Sequence, residues 1–258
     1  MLSEVRGLVI RTVDIKDTDR LITIFTEERG AVTALARGAR THKSRKMAAT
    51  MQFCYGSFVL YGQGDKTWIK EAELIESFFD IRRSIEGLSL ATYICEVLSD
   101  VAVEEAEKEL LRLSLNSLYA IAQGKHAVDK IKAVFEIRAA SILGFMPDVV
   151  ACHECGERDG DFFFDIMGGI IECYACRQNR QEMGIEHPDP HESHISCILS
   201  PGAKTALCYA IYSPLERLFS FNISDEDMRL LSRSAEEYLL NHLGHSFRSL
   251  DFYNSVKR

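Results

Sequence analysis

The chain has 258 residues, is 47% hydrophobic and carries a formal net charge of −8. It is long enough to bury a substantial core, and no apolar run reaches the roughly 18 residues that span a bilayer, so no membrane partner is expected. An acidic whole argues against a nucleic-acid binder, but the charge is uneven. Residues 1–83 hold 14 Lys and Arg against 11 Asp and Glu, or +3, and the remainder holds 16 against 27, or −11. Local patches decide phosphate binding, so a basic face is compatible with the total. Residues 1–6 show no charged-then-apolar leader, and the expected location is cytoplasmic.

The first part of the chain reads as β structure. Strands are expected at Val5–Val13, Arg20–Glu27, Ala31–Ala36, Cys54–Tyr61 and Lys66–Ile75. Five short strands in about 75 residues suit a small closed barrel better than a sandwich, and the OB-fold is the five-stranded barrel to consider. The aromatics Phe25, Phe53, Tyr55, Phe58, Tyr61 and Trp68 fall in or beside these strands. Barrel interior is the expectation for most of them; Trp68, near Lys66 and Lys70, is the best candidate to stack on a base.

Between the third and fourth strands lies Arg37-Gly38-Ala39-Arg40-Thr41-His42-Lys43-Ser44-Arg45-Lys46, five cations in ten residues with no acid. Such a run is expected to form a mobile exposed loop whose long side chains follow a phosphate backbone without demanding a base sequence. Arg11, Arg20 and Arg29 extend the patch if they project outward. A plain solvated loop is the alternative.

From about residue 78 the apolar period becomes helical. Leu90, Tyr93, Ile94, Val97, Leu98 and Val101 mark one helix. Leu110 to Ile121 mark a second, stopped by Gly124, and Ile131 to Ile142 a third, stopped by Gly144 and Pro147. Further helices are expected at Pro201–Tyr212, with Pro near N1 after Ser200, and from the N-cap Ser224 to about Gly244. The polar stretch Arg177–Ser196 reads as a loop. The organisation expected is residues 1–80 as the barrel, 81–150 and 181–258 as two halves of a helical domain, and 151–180 as an insertion.

That insertion carries the sharpest motif. Cys152-His-Glu-Cys155, seventeen residues, then Cys173-Tyr-Ala-Cys176 has the spacing of a tetrahedral metal site. The intervening Phe162–Phe164 and Gly168-Gly169 suit a hairpin that brings the pairs together. Four thiolates leave no open position for water, so the expected cofactor is one structural zinc ion rather than a hydrolytic centre. Cys54, Cys95, Cys197 and Cys208 read as buried thiols.

No His-x-Glu with a following Pro-Cys-x-x-Cys, no phosphate-binding Gly-rich loop and no nucleophile elbow occurs, and no enzyme activity is expected. His187, His191 and His194, with Asp189 and Glu192, leave open a metal-dependent hydrolase. A solvated linker explains the same composition.

Taken in order, Thr26-Glu-Glu-Arg-Gly30, Ala36-Arg-Gly-Ala-Arg40, Lys43-Ser-Arg45, Leu143-Gly-Phe-Met-Pro147 before the first cysteine pair and Gly168-Gly169 before the second resemble the bacterial RecO family of DNA repair and recombination mediators. The resemblance implies an α+β chain with an N-terminal five-stranded OB-fold barrel and a C-terminal helical domain bearing an inserted four-cysteine zinc element. It implies binding of single- and double-stranded DNA, annealing of complementary strands, and, with RecR, replacement of single-stranded DNA-binding protein by RecA. Contact with the C-terminal tail of that binding protein is implied too, as is nucleoid association during repair. By the match, Arg37, Arg40, Lys43, Arg45 and Lys46 take the DNA-contact role, and Cys152, Cys155, Cys173 and Cys176 the metal role. The competing reading is a protein-interaction adaptor that touches no DNA and is stabilised by a zinc ribbon.

Overall fold

Alternation of apolar and polar residues closes the N-terminal part into a barrel. The structure, a computed structural model, describes residues 2–63, 66–101, 108–183 and 195–257. Strand β1 (Leu2–Ile15) pairs antiparallel with β2 (Asp19–Thr26) and, through its first half, with β4 (Cys54–Gln63). Strand β3 (Gly30–Ala36) pairs with β2 and meets β5 (Lys66–Ser77) in parallel at Leu35 and Trp68, and β5 pairs with β4. The closed order β1-β2-β3-β5-β4 is that of an OB-type barrel.

Inward residues of period two fill it: Val5, Val9, Ile22, Ile24, Ala34, Ala36, Phe58, Leu60 and Ile69. Small alanines on β3 share this core with the large Phe58, which suits a narrow interior. Ala39 and Ala49 join the same core from the segment between β3 and β4. That segment is a succession of hydrogen-bonded turns, among them Ser44 N–H to Thr41 O at 2.9 Å and Thr50 N–H to Lys46 O at 3.1 Å, and Arg40 N–H ties it to Thr18 O of the β1–β2 connection at 2.9 Å. The run is exposed at Arg37, Arg40, Lys43 and Arg45, as expected, but it is not a free loop: buried Ala39 within it and buried Ala49 just beyond it pin it to the barrel.

The helical period resolves into α1 (Ile85–Val101), α2 (Lys108–Gln123), α3 (Val128–Ile142), α5 (Pro201–Tyr212) and α6 (Asp225–Leu243). Leu90, Tyr93, Ile94, Val97 and Leu98 of α1 are buried. Ser200 and Ser224 cap α5 and α6 by accepting the amides of Ala203 and Asp227, each at 3.1 Å. Two α-helices and a strand among the described residues lie outside the sequence expectation. The short helix α4 (Tyr174–Glu182) and strand β8 (Ser196–Leu199) occupy the two ends of the stretch read as a loop, and α7 (Arg248–Val256) follows α6.

Two compact units result. Residues 1–125 and 247–258 form one, so α1, α2 and the returning α7 belong with the barrel. Tyr93 and Phe247 meet edge-on at 5.6 Å, and the Ser249 amide donates to Glu96 at 3.1 Å. Residues 126–246 form the other. There α3 packs on α5 and α6, and strands β7 (Ile170–Cys173), β6 (Phe162–Asp165) and β8 make an antiparallel sheet in the order β7-β6-β8. The limits drawn from composition at 80, 150 and 180 follow element type, whereas these units follow packing.

Candidate metal centre and nucleic-acid surface

The β6–β7 hairpin brings the two cysteine pairs together. Phe162 stands opposite Cys173 in its register, so the second pair sits where β7 ends and α4 begins. Cys173 is the N-cap of α4, and Cys176 lies in its first turn. The first pair forms a tight turn in which Cys152 N–H bonds Glu157 O at 2.7 Å and Gly156 N–H returns to Cys152 O at 2.9 Å. Gly156 takes φ = 76°, a left-handed conformation that side chains resist. His153 N–H donates to Ile171 O at 2.9 Å and ties this turn to β7.

The four sulfurs lie within 4.8 Å of one another, and those of Cys155 and Cys173 are 3.7 Å apart. Sulfurs at about 2.3 Å from a central ion stand about 3.8 Å apart along a tetrahedron's edge, so the donor set and spacing fit a tetrahedral metal site. Separation also excludes a disulfide between that pair, for which about 2.05 Å is required. Burial acts to raise the Cys152 thiol, but amides of Cys173, Cys155 and Glu154 point at its sulfur and bring it down to about 7. Cys173 donates its amide to that sulfur at 3.3 Å. Such amide donors favour thiolate, the form that binds metal, at Cys152. By contrast, burial raises the Cys173 thiol, and hydrogen bonding with Cys155 and Cys173 raises that of Cys176. Cys54, Cys95 and Cys197 are buried as expected, whereas Cys208 is only half-buried.

The basic residues divide into two groups. Asp14 accepts Arg20 Nε at 2.8 Å and pairs with Arg40 Nε at 3.2 Å, and Arg40 Nη1 also donates to Lys16 O at 2.9 Å. The hydrogen bond from Arg20, opposed by partial burial and aided by the charges of Arg20 and Arg40, holds the Asp14 carboxyl below its usual range. Asp19 accepts the Gly38 amide at 2.8 Å, which allows the chain to turn with φ = 64° at Gly38. Lys46 Nζ donates to Ile69 O at 3.1 Å. Arg20, Arg40 and Lys46 therefore fasten the segment to β1, β2 and β5. Arg11, Arg37, Lys43 and Arg45 are exposed, and none of the four enters an ion pair among the described residues. Arg29 is exposed as well.

Residues 1–78 match the family model described as Recombination protein O N terminal, and residues 82–251 match that described as Recombination protein O C terminal. The chain belongs to the RecO family. Proteins named DNA repair protein RecO from Acetivibrio thermocellus, Bacillus pumilus and Clostridium acetobutylicum are 34%, 29% and 24% identical to it. The matches cover 98%, 100% and 98% of this chain and 96%, 95% and 97% of those relatives. The family resemblance read from short motifs thus extends over the whole chain.

Phe25, Phe53 and Phe58 are buried, and Tyr55, whose hydroxyl donates to Glu27, is half-buried. Tyr61 and Trp68 lie on the outer face of the barrel, where sequence reading placed only Trp68 as a candidate. Alternation hints at this placement, because Leu60 and Ile69, their neighbours, face inward. The histidines at 187, 191 and 194 lie outside the described residues. No helix among those described is long and apolar enough to cross a membrane.

Proposed function

We propose that this RecO-family chain is a cytoplasmic mediator of DNA repair and recombination that holds single and double strands through a sequence-neutral cationic surface and anneals complementary strands. One observation carries the reading: a closed OB-type barrel in an acidic chain presents the exposed cations Arg11, Arg37, Lys43 and Arg45 on and beside its β1-β2-β3 wall. Phosphates of two strands meeting such a surface release counterions, and their mutual repulsion falls. Arg20, Arg40 and Lys46 contribute by shaping the segment that bears the cations. The family match supports partners in the same pathway, namely RecR, the tail of single-stranded DNA-binding protein and, indirectly, RecA. The thiolate cluster in this reading holds one structural zinc ion.

DNA binding by the full chain should weaken as salt rises. Changing Arg37, Arg40, Lys43, Arg45 and Lys46 together to Ala should lower affinity and flatten the log-log salt dependence by roughly 0.7–0.9 for each phosphate no longer neutralised. Wild-type protein should also accelerate annealing of oligonucleotides coated with single-stranded DNA-binding protein. Equal affinity of wild type and variant at two salt concentrations would remove the segment from the mechanism, and absence of any DNA binding would leave the adaptor reading.

A further inference from the structure

The outer wall of the barrel carries a row of apolar side chains that the core does not use. Strand registers place Val13 opposite Leu21, Leu21 opposite Leu35, Leu35 beside Trp68 and Trp68 opposite Tyr61. All five point outward, since the inward positions belong to the intervening Ile22, Ala34, Ala36, Leu60 and Ile69. Val13 is 41% exposed, and Leu21, Leu35, Trp68 and Tyr61 are half-buried. Cations border the row along the strand direction. Arg11 lies two residues from Val13, Arg37 two residues from Leu35, and Lys66 and Lys70 two residues to either side of Trp68.

Trp68 is the centre of this row. Its ring stacks on Tyr61 with centroids 5.3 Å apart and planes 17° from parallel. Arg37 follows β3, which flanks β5 on the side away from the β4 strand of Tyr61, and its guanidinium carbon stands over the Trp68 ring, 5.6 Å from the centroid. A planar cation thus occupies the place over an indole face that a planar base fills in nucleic-acid stacking, and an exposed cation–π contact is weak enough to yield. Tyr61, packed behind the indole, keeps the ring from turning away. The backbone below is held too, because Lys46 Nζ binds the carbonyl of Ile69, the next residue on β5.

We propose that Trp68, backed by Tyr61, is a stacking site for an unpaired nucleobase of single-stranded DNA. The base takes the indole face covered by Arg37, and the guanidinium turns to the adjoining phosphate. This inference rests on the DNA-binding reading above and deepens it. Cations bordering the row supply charge complementary to the strand, and stacking is open to every base, so sequence neutrality is kept. In a duplex the base faces are already stacked, so this site separates single from double strands while the cations bind both.

Trp68 is the chain's one tryptophan, which makes the stacking directly observable. The test titrates full-length protein with an unstructured oligothymidylate and with a duplex, at several salt concentrations, following intrinsic fluorescence and anisotropy. Indole emission of wild type should be quenched by the single strand and far less by the duplex. Trp68→Ala should bind the single strand roughly 5- to 150-fold more weakly, with an unchanged salt slope and unchanged duplex affinity. Trp68→Phe should regain most of the loss, and it also guards against a folding defect in Trp68→Ala. A Lys43→Ala/Arg45→Ala variant should show the opposite signature, with both affinities lowered, the slope flattened and quenching at saturation retained. Unquenched emission, or equal single-strand affinity of wild type and both Trp68 variants, would overturn the stacking site and leave the cationic surface standing. Failure of wild type to bind either DNA would overturn both.

Discussion

At the scale of single residues, two buried or bridging charges govern the second unit. Lys132 on α3 is 1% exposed, and its ammonium lies 2.9 Å from Glu136 and 2.6 Å from Glu236. Burial alone would lower its pKa, but the two carboxylates outweigh it and the net shift is upward. A raised lysine pKa stabilises the fold at all pH below the unfolded value of 10.5, and this contribution disappears as pH climbs through the folded value. Lys132→Met leaves the fully buried Glu136 without its ammonium and should lower stability by about 3–5 kcal/mol, read as a shift in the urea midpoint. Lys132→Met/Glu136→Leu should recover much of that loss, because the desolvated charge goes with its partner. Asp227 is the second such residue. Hydrogen bonds from Ser200, the N-cap of α5, and from Ser224, the N-cap of α6, hold its carboxyl below the usual range. Its depressed pKa stabilises above pH 3.8 and is lost as pH falls through the folded value. Asp227→Asn should therefore narrow the difference in melting temperature between pH 7 and pH 3. A wild-type-like difference in the variant would remove Asp227 from the acid response.

At the scale of elements, legibility in the sequence tracks how much each segment is shaped by its own neighbours. Helices α1 and α6 carry a full apolar stripe, and α6 adds a capping serine, so period and punctuation find them. The cysteine quartet is legible from spacing, because ligand geometry sets it locally. Helix α4 is not legible: it buries no residue, no side chain caps its N-terminus, and its Arg180 pairs at 2.5 Å with Glu172 of β7, a contact made only once the hairpin has formed. Strand β8 is four residues long and exists only because β6 offers an edge. The Arg37–Lys46 segment looks like a free loop because composition reports its cations and not the burial of Ala39 and Ala49. Tyr61 escaped as a site residue because its stack with Trp68 depends on the β4–β5 register. Metal is the element-scale test. Purified protein should contain about one zinc ion per chain, and Cys152→Ser should lose it. Hydrogen exchange should then quicken through β7 and α4, since a closed thiolate site contributes on the order of 10 kcal/mol to local folding. A chelator should lower the wild-type melting temperature and leave that of the variant unmoved.

At the scale of the whole molecule, the charge division and the chain path carry different information. The −8 total describes neither part, since the barrel end is net basic and the rest strongly acidic. Attraction for phosphate therefore follows the local field and not the sum. The path adds that the barrel unit is discontinuous: it is closed by α7, which returns after the second unit is complete. Phe247, Leu250 and Tyr253 are 3%, 2% and 1% exposed, and Ser249 binds Glu96 of α1. Stopping the chain after Ser246 strips these side chains from α1 and leaves the part of α1 that they cover, including Tyr93, in water. At roughly 1.5–3 kcal/mol for each large apolar side chain no longer buried, the barrel unit should lose several kcal/mol of stability. DNA affinity should fall with it, while the thiolate site in residues 126–246 keeps its zinc. Parallel measurement of melting, single-strand affinity and zinc content in that truncated chain checks this. Loss of zinc together with undiminished DNA affinity would show that α7 supports the second unit instead of the barrel.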